Sequence, residues 1–92
     1  MGKGIVNVAL LGAGEVGQLH AETLAHHVSG ARLVAVVDPV VSNAKRAAAL
    51  AAAVVAASPD EVLRDDGIDA VVIASPTRFH AALIIAAARH GK

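Results

Sequence analysis

The sequence predicts an α/β fold built around a mostly parallel sheet. Short apolar runs rich in Val, Ile and Leu recur along the 92 residues, and such runs are typical of parallel strands buried on both faces. Segments with helical spacing lie between them, which gives the alternation expected of βαβ units with right-handed crossovers. The whole chain, residues 1–92, is the right length for one small domain.

A glycine turn directly follows the first apolar run. The strand predicted over 5–11 (IVNVALL) stops at Gly12, and the spacing G-x-G-x-x-G then places Gly14 and Gly17 at the start of a helical pattern. In this context the motif is typical of dinucleotide binding. Gly12 allows the tight turn, Gly14 lets a pyrophosphate approach the backbone, and Gly17 lets the helix pack closely on the sheet. The sequence therefore predicts a Rossmann-type three-layer sandwich of about four strands, with a helix N-terminus facing phosphates.

An acidic residue ends the second apolar run. The strand predicted over 33–37 (LVAVV) is followed by Asp38, about twenty residues beyond the last glycine of the turn. A carboxylate at this position can accept hydrogen bonds from the adenosine ribose hydroxyls. Its charge would also repel a 2′-phosphate, so the sequence favours NAD over NADP as the cofactor.

Periodicity and capping residues predict the next elements. The first helix, of about three turns, is expected to end at a left-handed Gly30. Its predicted inward stripe consists of Val16, Leu19, Thr23, Leu24 and His27. A second helix is predicted to start at Ser42 or Asn43 and to run to about Ala52. A short third strand follows at 54–56, and the pattern leaves its start open.

The second half of the chain carries sharper boundary signals. Ser58 is the predicted N-cap of a short third helix, with Pro59 in its first position and Glu61 completing a capping box. The fourth strand is predicted over 68–74 (IDAVVIA), and a fourth helix is predicted to end at Gly91. The predicted inward stripe of that helix consists of Phe79, Leu83, Ala86, Ala87 and His90.

Three polar breaks follow the predicted strands, at residues 12–17, 38–39 and 75–77. In open α/β sheets, ligands bind outside the carboxyl ends of the strands, where the strand order reverses. We therefore expect the three breaks to meet at one edge of the sheet, as a shared ligand requires.

Composition argues against several other classes of function. Eight basic and eight acidic residues give a net charge of zero, so the electrostatic footprint of a nucleic-acid or membrane-surface protein is missing. The sequence has one Phe, no Tyr, no Trp and no Cys, which removes base-stacking platforms, disulfides and thiolate chemistry. His26 and His27 are expected to be surface or capping residues and not metal ligands. No secretory signal or membrane-length apolar run is evident, and the expected location is the cytoplasm.

Four segments together resemble the N-terminal nucleotide-binding domain of the glucose-fructose oxidoreductase, inositol dehydrogenase and MocA family. They are VALLGAGEVGQLHAETLAHH, LVAVVDP, SPDEVL and IDAVVIASPTRFHAALIIAAARHGK, and they cover nearly the whole chain. The more specific parts of the resemblance are His20 after the last glycine, the pair Asp38-Pro39, and the segment from Ser75 to His80.

The resemblance implies an oxidoreductase that transfers hydride between NAD and a sugar or polyol alcohol. In the family, the glycine turn holds the pyrophosphate and the acid after the second strand holds the adenosine ribose. The segment after the fourth strand lies along the cofactor towards its nicotinamide end. The implied cofactor-binding residues are Gly12, Gly14, Glu15, Val16, Gly17, Asp38, Ala74, Ser75, Pro76 and His80.

The sequence also departs from the family pattern. Family members continue into a fifth strand with a Glu-Lys-Pro motif, of which the lysine takes part in catalysis, and then into a second α/β domain. Lys92 falls before that strand would begin, and no other residue is a candidate for general acid–base catalysis, so no catalytic residue is expected in this chain. The expectation is a partial domain, truncated before strands five and six. Its fourth strand would lie at the sheet edge and favour self-association or a partner chain.

Two alternatives stay open. The first is a truncated or split module without catalytic activity that acts through a partner. An uninterrupted downstream reading frame encoding Glu-Lys-Pro would distinguish an enzyme fragment from such a module. The second is a methyltransferase-type domain that binds S-adenosylmethionine, which also uses a glycine loop and an acid after strand two. The G-x-G-x-x-G spacing and the SPTRFH segment suit it poorly.

Overall fold

The computed structural model describes residues 4–92 as an alternation of strands and helices. The elements are β1 (Val6–Leu11), α1 (Glu15–His26), β2 (Ala31–Val37), α2 (Val41–Ala49), β3 (Val54–Val55), α3 (Pro59–Leu63), β4 (Ala70–Ile73) and α4 (His80–Arg89), with a 3₁₀ turn at Thr77–Phe79. All the strand pairs are parallel, and the sheet has the order β3-β2-β1-β4. The predicted Rossmann-type α/β fold is confirmed.

β1 lies inside the sheet, between β2 and β4. Leu10 pairs with Val36 of β2 on one side and with Val72 of β4 on the other. The main chain thus leaves β1 towards one side of the sheet and later returns to its opposite side. The strand order therefore reverses at β1, and its carboxyl end is the place where such sheets bind ligands.

Two hydrophobic cores lie on opposite faces of the sheet. On the first face, α1 and α2 contribute Ala21 and Ala47, which pack with Leu10 of β1. On the second face, Val62 of α3 packs with Leu11 of β1. Because both faces of β1 are covered, its last residues are almost completely buried, as a continuous apolar run predicts. No helix within residues 4–92 is both long enough and apolar enough to cross a membrane.

The predicted inward stripe of α1 is wrong except at Leu24, which packs against the first core. The other predicted members, all exposed, are Val16, Leu19, Thr23 and His27. The helix buries Gly17 and Ala21 instead. The physical reason is distance, because a side chain added at Gly17 would meet the backbone of Gly12. A helix this close to the sheet buries its smallest residues and leaves its larger apolar residues outside.

The start of α2 also differs from the prediction. The helix begins at Val41, ahead of the predicted caps Ser42 and Asn43, and it has no side-chain cap. The carboxylate of Asp38 accepts a hydrogen bond from the N–H of Val40 at 2.9 Å. Such a bond to the residue two positions later turns the chain, so the helix begins earlier than the capping pattern predicts.

Three further element ends are corrected by the structure. Gly30 has the predicted left-handed φ, at +89°, yet it lies in the turn before β2 and not at the end of α1. The second helix stops at Ala49, and the left-handed φ of +54° at Ala52 prevents the predicted extension. β4 is shorter than the predicted run 68–74, although the N–H of Ala74 donates to a β1 carbonyl at 2.8 Å and continues the pairing.

The predicted N-cap Ser58 of α3 and the predicted end of α4 at Gly91 are confirmed, whereas residues 4–92 show only one of the two hydrogen bonds of the predicted capping box. The hydroxyl of Ser58 accepts a hydrogen bond from the N–H of Glu61 at 3.3 Å, and Pro59 is the first residue of α3. At the end of α4, Gly91 has a φ of +75° and its N–H donates to the carbonyl of Ala88 at 3.1 Å. These local signals fix helix ends well because the atoms that satisfy the backbone lie within the motif itself.

The predicted inward stripe of α4 is confirmed at its centre only. Ala87 is buried, and Leu83 and Ala86 are partly buried, whereas Phe79 and His90 at the two ends are exposed. The exposed ring of Phe79 lies before the first residue of α4, in the 3₁₀ turn. α4 therefore packs through its middle residues, of which Leu83 contacts the second core.

Candidate functional site

A cleft of about 970 Å³ opens at the carboxyl ends of the strands, and we name it the carboxyl-end cleft. Its volume is within the range of small-molecule and cofactor sites. The lining residues are Leu11, Gly12, Gly14, Glu15, Val16, Val37, Asp38, Pro39, Ala57, Ser58, Pro59, Ala74, Ser75, Pro76, Arg78, Phe79, Ala82 and Leu83. The polar breaks after β1, β2 and β4 thus meet at one edge of the sheet, as the sequence predicts.

Gly12 and Gly17 lie where the glycine turn closely contacts α1 and the end of β4. Gly12 has a φ of +105°, and a Cβ there would lie 2.5 Å from the backbone nitrogen of Ser75. A Cβ at Gly17 would lie 2.8 Å from the carbonyl carbon of Gly12 and still closer to its oxygen. Both neighbours are backbone atoms that cannot rotate away. These two glycines therefore allow β1, α1 and the end of β4 to approach one another.

Gly14 differs from the other two glycines of the motif. A Cβ added there would meet nothing within 4 Å, so the space beside it is open. Gly14 is the N-cap of α1, and no side chain caps the helix. The first-turn N–H groups of Glu15 and Val16 therefore have no intrahelical acceptor, and they lie at the positive end of the helix dipole. This end of α1 can receive an anion.

Asp38 joins the end of β2 to the glycine turn. One carboxylate oxygen accepts a hydrogen bond from the N–H of Ala13 at 2.8 Å, and the other accepts from Val40 at 2.9 Å. The side chain is half-buried and lines the cleft. Each carboxylate oxygen has a further lone pair, so Asp38 can still accept hydrogen bonds from ligand hydroxyls.

A hydrogen bond links His80 to Ser75, which lines the cleft just after β4. A ring nitrogen of His80, Nε2, lies 2.6 Å from the carbonyl oxygen of Ser75. Because a carbonyl only accepts, Nε2 carries the proton and donates it. The hydroxyl of Ser75 is buried and has no hydrogen-bond partner in the part of the chain that the structure describes. His80 therefore fixes the main chain of Ser75, whereas the hydroxyl of Ser75 has no partner within the described residues.

All the predicted cofactor-binding residues except Gly17 and His80 line the cleft. Gly17 lies behind the turn against Gly12, and His80 contacts the cleft only through Ser75. His20 is exposed on α1 and is not among the lining residues.

Part of the cleft lining lies outside the residues predicted from the sequence. Ser58 and Pro59 line the cleft after β3, and the rule that ligands bind at strand carboxyl ends could have found them. Arg78 and Phe79 also contribute, with the guanidinium of Arg78 lying 4.9 Å from the centre of the Phe79 ring. Both residues belong to the Ser75–His80 segment of the family resemblance, although neither was among the predicted cofactor-binding residues. Within residues 4–92, no group of three His, Asp or Glu side chains is arranged to hold a metal ion.

This geometry is that of a Rossmann-type dinucleotide-binding domain. The glycine turn, the open N-terminus of α1 and the acid after β2 surround one cleft at the reversal of the strand order. The family described as an oxidoreductase family with an NAD-binding Rossmann fold matches residues 6–92. The chain belongs to this glucose-fructose oxidoreductase, inositol dehydrogenase and MocA family, and the resemblance seen in the sequence is confirmed.

Curated relatives share the same region. The scyllo-inositol 2-dehydrogenase (NAD(+)) of Bacillus subtilis is 46% identical over 88 residues, which cover 95% of this chain and 26% of that protein. Inositol 2-dehydrogenase 4 of Saccharopolyspora erythraea is 42% identical over 87 residues, which cover 94% of this chain and 26% of that protein. The chain thus spans about a quarter of the length of these relatives.

Solved structures show the same fold. The scyllo-inositol dehydrogenase of Lactobacillus casei, with bound NAD(H) and scyllo-inositol, has a TM-score of 0.88 at 30% identity, covering 96% of this chain and 26% of that chain. A myo-inositol dehydrogenase of Corynebacterium glutamicum has a TM-score of 0.85 at 41% identity, covering 95% of this chain and 26% of that chain. The chain is therefore similar to the NAD-binding part of inositol dehydrogenases.

Proposed function

We propose that this chain is the cofactor domain of a cytoplasmic oxidoreductase that transfers hydride between NAD and a sugar or polyol alcohol. The observation that carries the proposal is the hydrogen bond of 2.8 Å between Asp38 and Ala13, which places a carboxylate beside the open N-terminus of α1. A polyol as the substrate class is supported by the relatives, which are named as inositol dehydrogenases.

In this proposal the first turn of α1 holds the pyrophosphate. The N–H groups of Glu15 and Val16 donate to phosphate oxygens, and the helix dipole favours their negative charge. Gly14 keeps this approach open, since nothing lies within 4 Å of the position that its Cβ would take. Asp38 accepts hydrogen bonds from the ribose hydroxyls through the lone pairs that Ala13 and Val40 leave free.

The other end of the cleft orients the nicotinamide. His80 positions Ser75 by donating to its carbonyl oxygen at 2.6 Å. A buried hydroxyl without a partner costs about 1–3 kcal/mol, so rotation of the Ser75 side chain towards a bound ligand relieves an existing cost. The chain supplies binding and orientation, and the nicotinamide supplies the hydride chemistry when it is bound.

The Gly14→Ala variant tests the pyrophosphate site. The added methyl group would occupy the open space in front of α1, so we expect NAD to bind about tenfold more weakly, a loss of about 1.4 kcal/mol. The free energy of unfolding should fall by no more than about 1 kcal/mol, the difference between Gly and Ala at an N-cap. Calorimetric titration measures the affinity, and urea unfolding measures the stability.

Gly4→Ala is the matched control for this variant. A Cβ at Gly4 also meets nothing within 4 Å, and Gly4 does not line the cleft. Both its NAD affinity and its stability should equal those of the unmodified chain. If the unmodified chain fails to bind NAD at millimolar concentration, the proposed function is wrong. If it binds and Gly14→Ala binds equally well, only the placement of the pyrophosphate is wrong.

We also propose that the chain self-associates, or binds a partner chain, through the free edge of β4. Within residues 4–92, β4 pairs with β1 alone, so one row of its backbone groups has no strand partner. The neighbouring helix α4 exposes Ile84 and Ile85, at 57% and 53%. Sedimentation across a dilution series should give a molecular mass above that of the monomer. Ile84→Lys should lower this mass, whereas Leu19→Lys, at a similarly exposed site on α1, should leave it unchanged. A monomer throughout would contradict the proposal.

A further inference from the structure

Gln18 lies on α1 immediately after the glycine turn, and none of the roles described above involves it. Its side-chain nitrogen donates to the carbonyl oxygen of Ala13 at 2.8 Å and to the carbonyl oxygen of Asn43 at 2.8 Å. Both partners can only accept, so the amide nitrogen and not the amide oxygen faces them. Both hydrogens of the amide group are therefore used, one towards the turn and one towards α2.

The hydrogen bond from Gln18 holds the carbonyl group of Ala13, a residue of the glycine turn. The N–H of Ala13 already donates to Asp38 at 2.8 Å, so polar side chains hold Ala13 at both its nitrogen and its oxygen. Its neighbours Gly12 and Gly14 have the greatest backbone freedom of any residue type. Without these two hydrogen bonds, the peptide units between the glycines could rotate. The open turn would then lose the arrangement in which its N–H groups face the cleft.

The second hydrogen bond connects two parts of the site. α1 presents the proposed pyrophosphate position, and α2 begins just after Asp38, at the proposed ribose position. Gln18 bridges the two helices through Asn43, which lies 25 residues away in the sequence. A change at Gln18 would therefore alter the turn and its distance from the ribose position, while Asp38 at that position keeps its hydrogen bond from Val40.

We propose that Gln18 is a positioning residue for the dinucleotide, which holds the backbone of Ala13 so that the turn is set to receive the pyrophosphate. This inference rests on the proposed function, because it requires the pyrophosphate to bind at the N-terminus of α1. Gln18 does not line the cleft, so it acts through Ala13 and not by contact with the cofactor.

Three substitutions test the role of Gln18. Gln18→Glu keeps the size of the side chain but places a carboxylate against two carbonyl oxygens, and Gln18→Met removes the donors without adding charge. Each should weaken NAD binding by about tenfold, the equivalent of one or two lost hydrogen bonds. Gln18→Arg keeps planar N–H donors and should restore binding to within about threefold of the unmodified chain.

Adenosine provides the measurement that a purely structural role would not explain. It carries the ribose that Asp38 is proposed to bind but has no pyrophosphate, so its affinity by NMR titration should be unchanged in the Met variant. Equal losses of NAD and adenosine, or a failure of Gln18→Arg to restore binding, would overturn the inference. So would unchanged NAD binding in Gln18→Met. If Gln18→Glu does not fold, the Met and Arg variants still decide. A lack of NAD binding by the unmodified chain would instead refute the proposed function itself.

Discussion

Gly17→Ala is expected to lower the free energy of unfolding by roughly 2–3 kcal/mol, the upper part of the range for overpacking in a core. The new methyl carbon would lie 2.8 Å from the carbonyl carbon of Gly12 and would contact its oxygen more closely still. Relief requires α1 to move away from the turn, because the Cβ is fixed to the backbone of α1 and its neighbour is the backbone of Gly12. Such a loss is a large fraction of the 5–15 kcal/mol that stabilises a typical domain.

The sign of this change in stability shows which of two opposing effects dominates. Helix propensity alone favours Ala over Gly by about 1 kcal/mol inside a helix, so it predicts that Gly17→Ala is stabilising. The steric clash with Gly12 predicts the opposite, and the clash outweighs the gain in propensity. Urea unfolding of Gly17→Ala measures the sum of the two effects, and Gly4→Ala, whose Cβ has open space, is the control. A more stable Gly17→Ala would show that α1 lies farther from the sheet.

The same contact explains why the inward face of α1 could not be predicted from its apolar residues. The pattern gives Val16 and Leu19 the strongest apolar signal, and both are exposed, at 58% and 62%. Which side of a helix is buried depends on how closely it approaches its neighbour, and that distance is set by Gly12 and Gly17 in three dimensions. The glycine spacing indicated that α1 packs closely at Gly17. A hydrophobicity pattern cannot show this, because it is based on apolar side chains and glycine has none.

The sequence predicts the strands, their order along the chain and most of the cleft, because the relevant signals are local. Gly12 and Asp38 lie directly after apolar runs, and parallel strands bring such positions to one edge whatever the details of packing. The start of α2 was missed because Asp38 bonds to Val40 and competes with the expected caps. The hydrogen bond from Gln18 to Asn43 could not be predicted, because no spacing rule connects Asn43 to the glycine turn.

Asp38→Asn is expected to reduce the preference for NAD over NADP that we propose for this chain. The loss of charge weakens the hydrogen bonds proposed for the ribose hydroxyls, and bonds to charged groups contribute about 1.5–3 kcal/mol, so NAD should bind about tenfold to a hundredfold more weakly. NADP should bind as well as before or better, because its 2′-phosphate no longer faces a carboxylate. Calorimetric titration of both cofactors gives the ratio of the two affinities.

The hydrogen bonds of Asp38 and a second carboxylate in the cleft determine the design of this experiment. Asn has one amide oxygen, which can keep the hydrogen bond from Ala13 that Ala in place of Asp38 would remove, whereas its NH2 group cannot accept the hydrogen bond from Val40. Glu15→Gln is the matched control, since Glu15 is the other carboxylate in the lining of the cleft and lies at the start of α1, where the pyrophosphate is proposed to bind. That variant should change the affinities for NAD and NADP in the same direction and by similar factors.

The ionic strength of the solution separates charge repulsion from the loss of hydrogen bonds. Repulsion between Asp38 and a 2′-phosphate is screened by salt, so NADP binding to the unmodified chain should gain more from added salt than NAD binding does. In Asp38→Asn this difference should disappear, because the repelling charge is gone. If the affinity ratio is the same in both chains at every salt concentration, Asp38 does not face the ribose, and the cofactor lies elsewhere in the cleft.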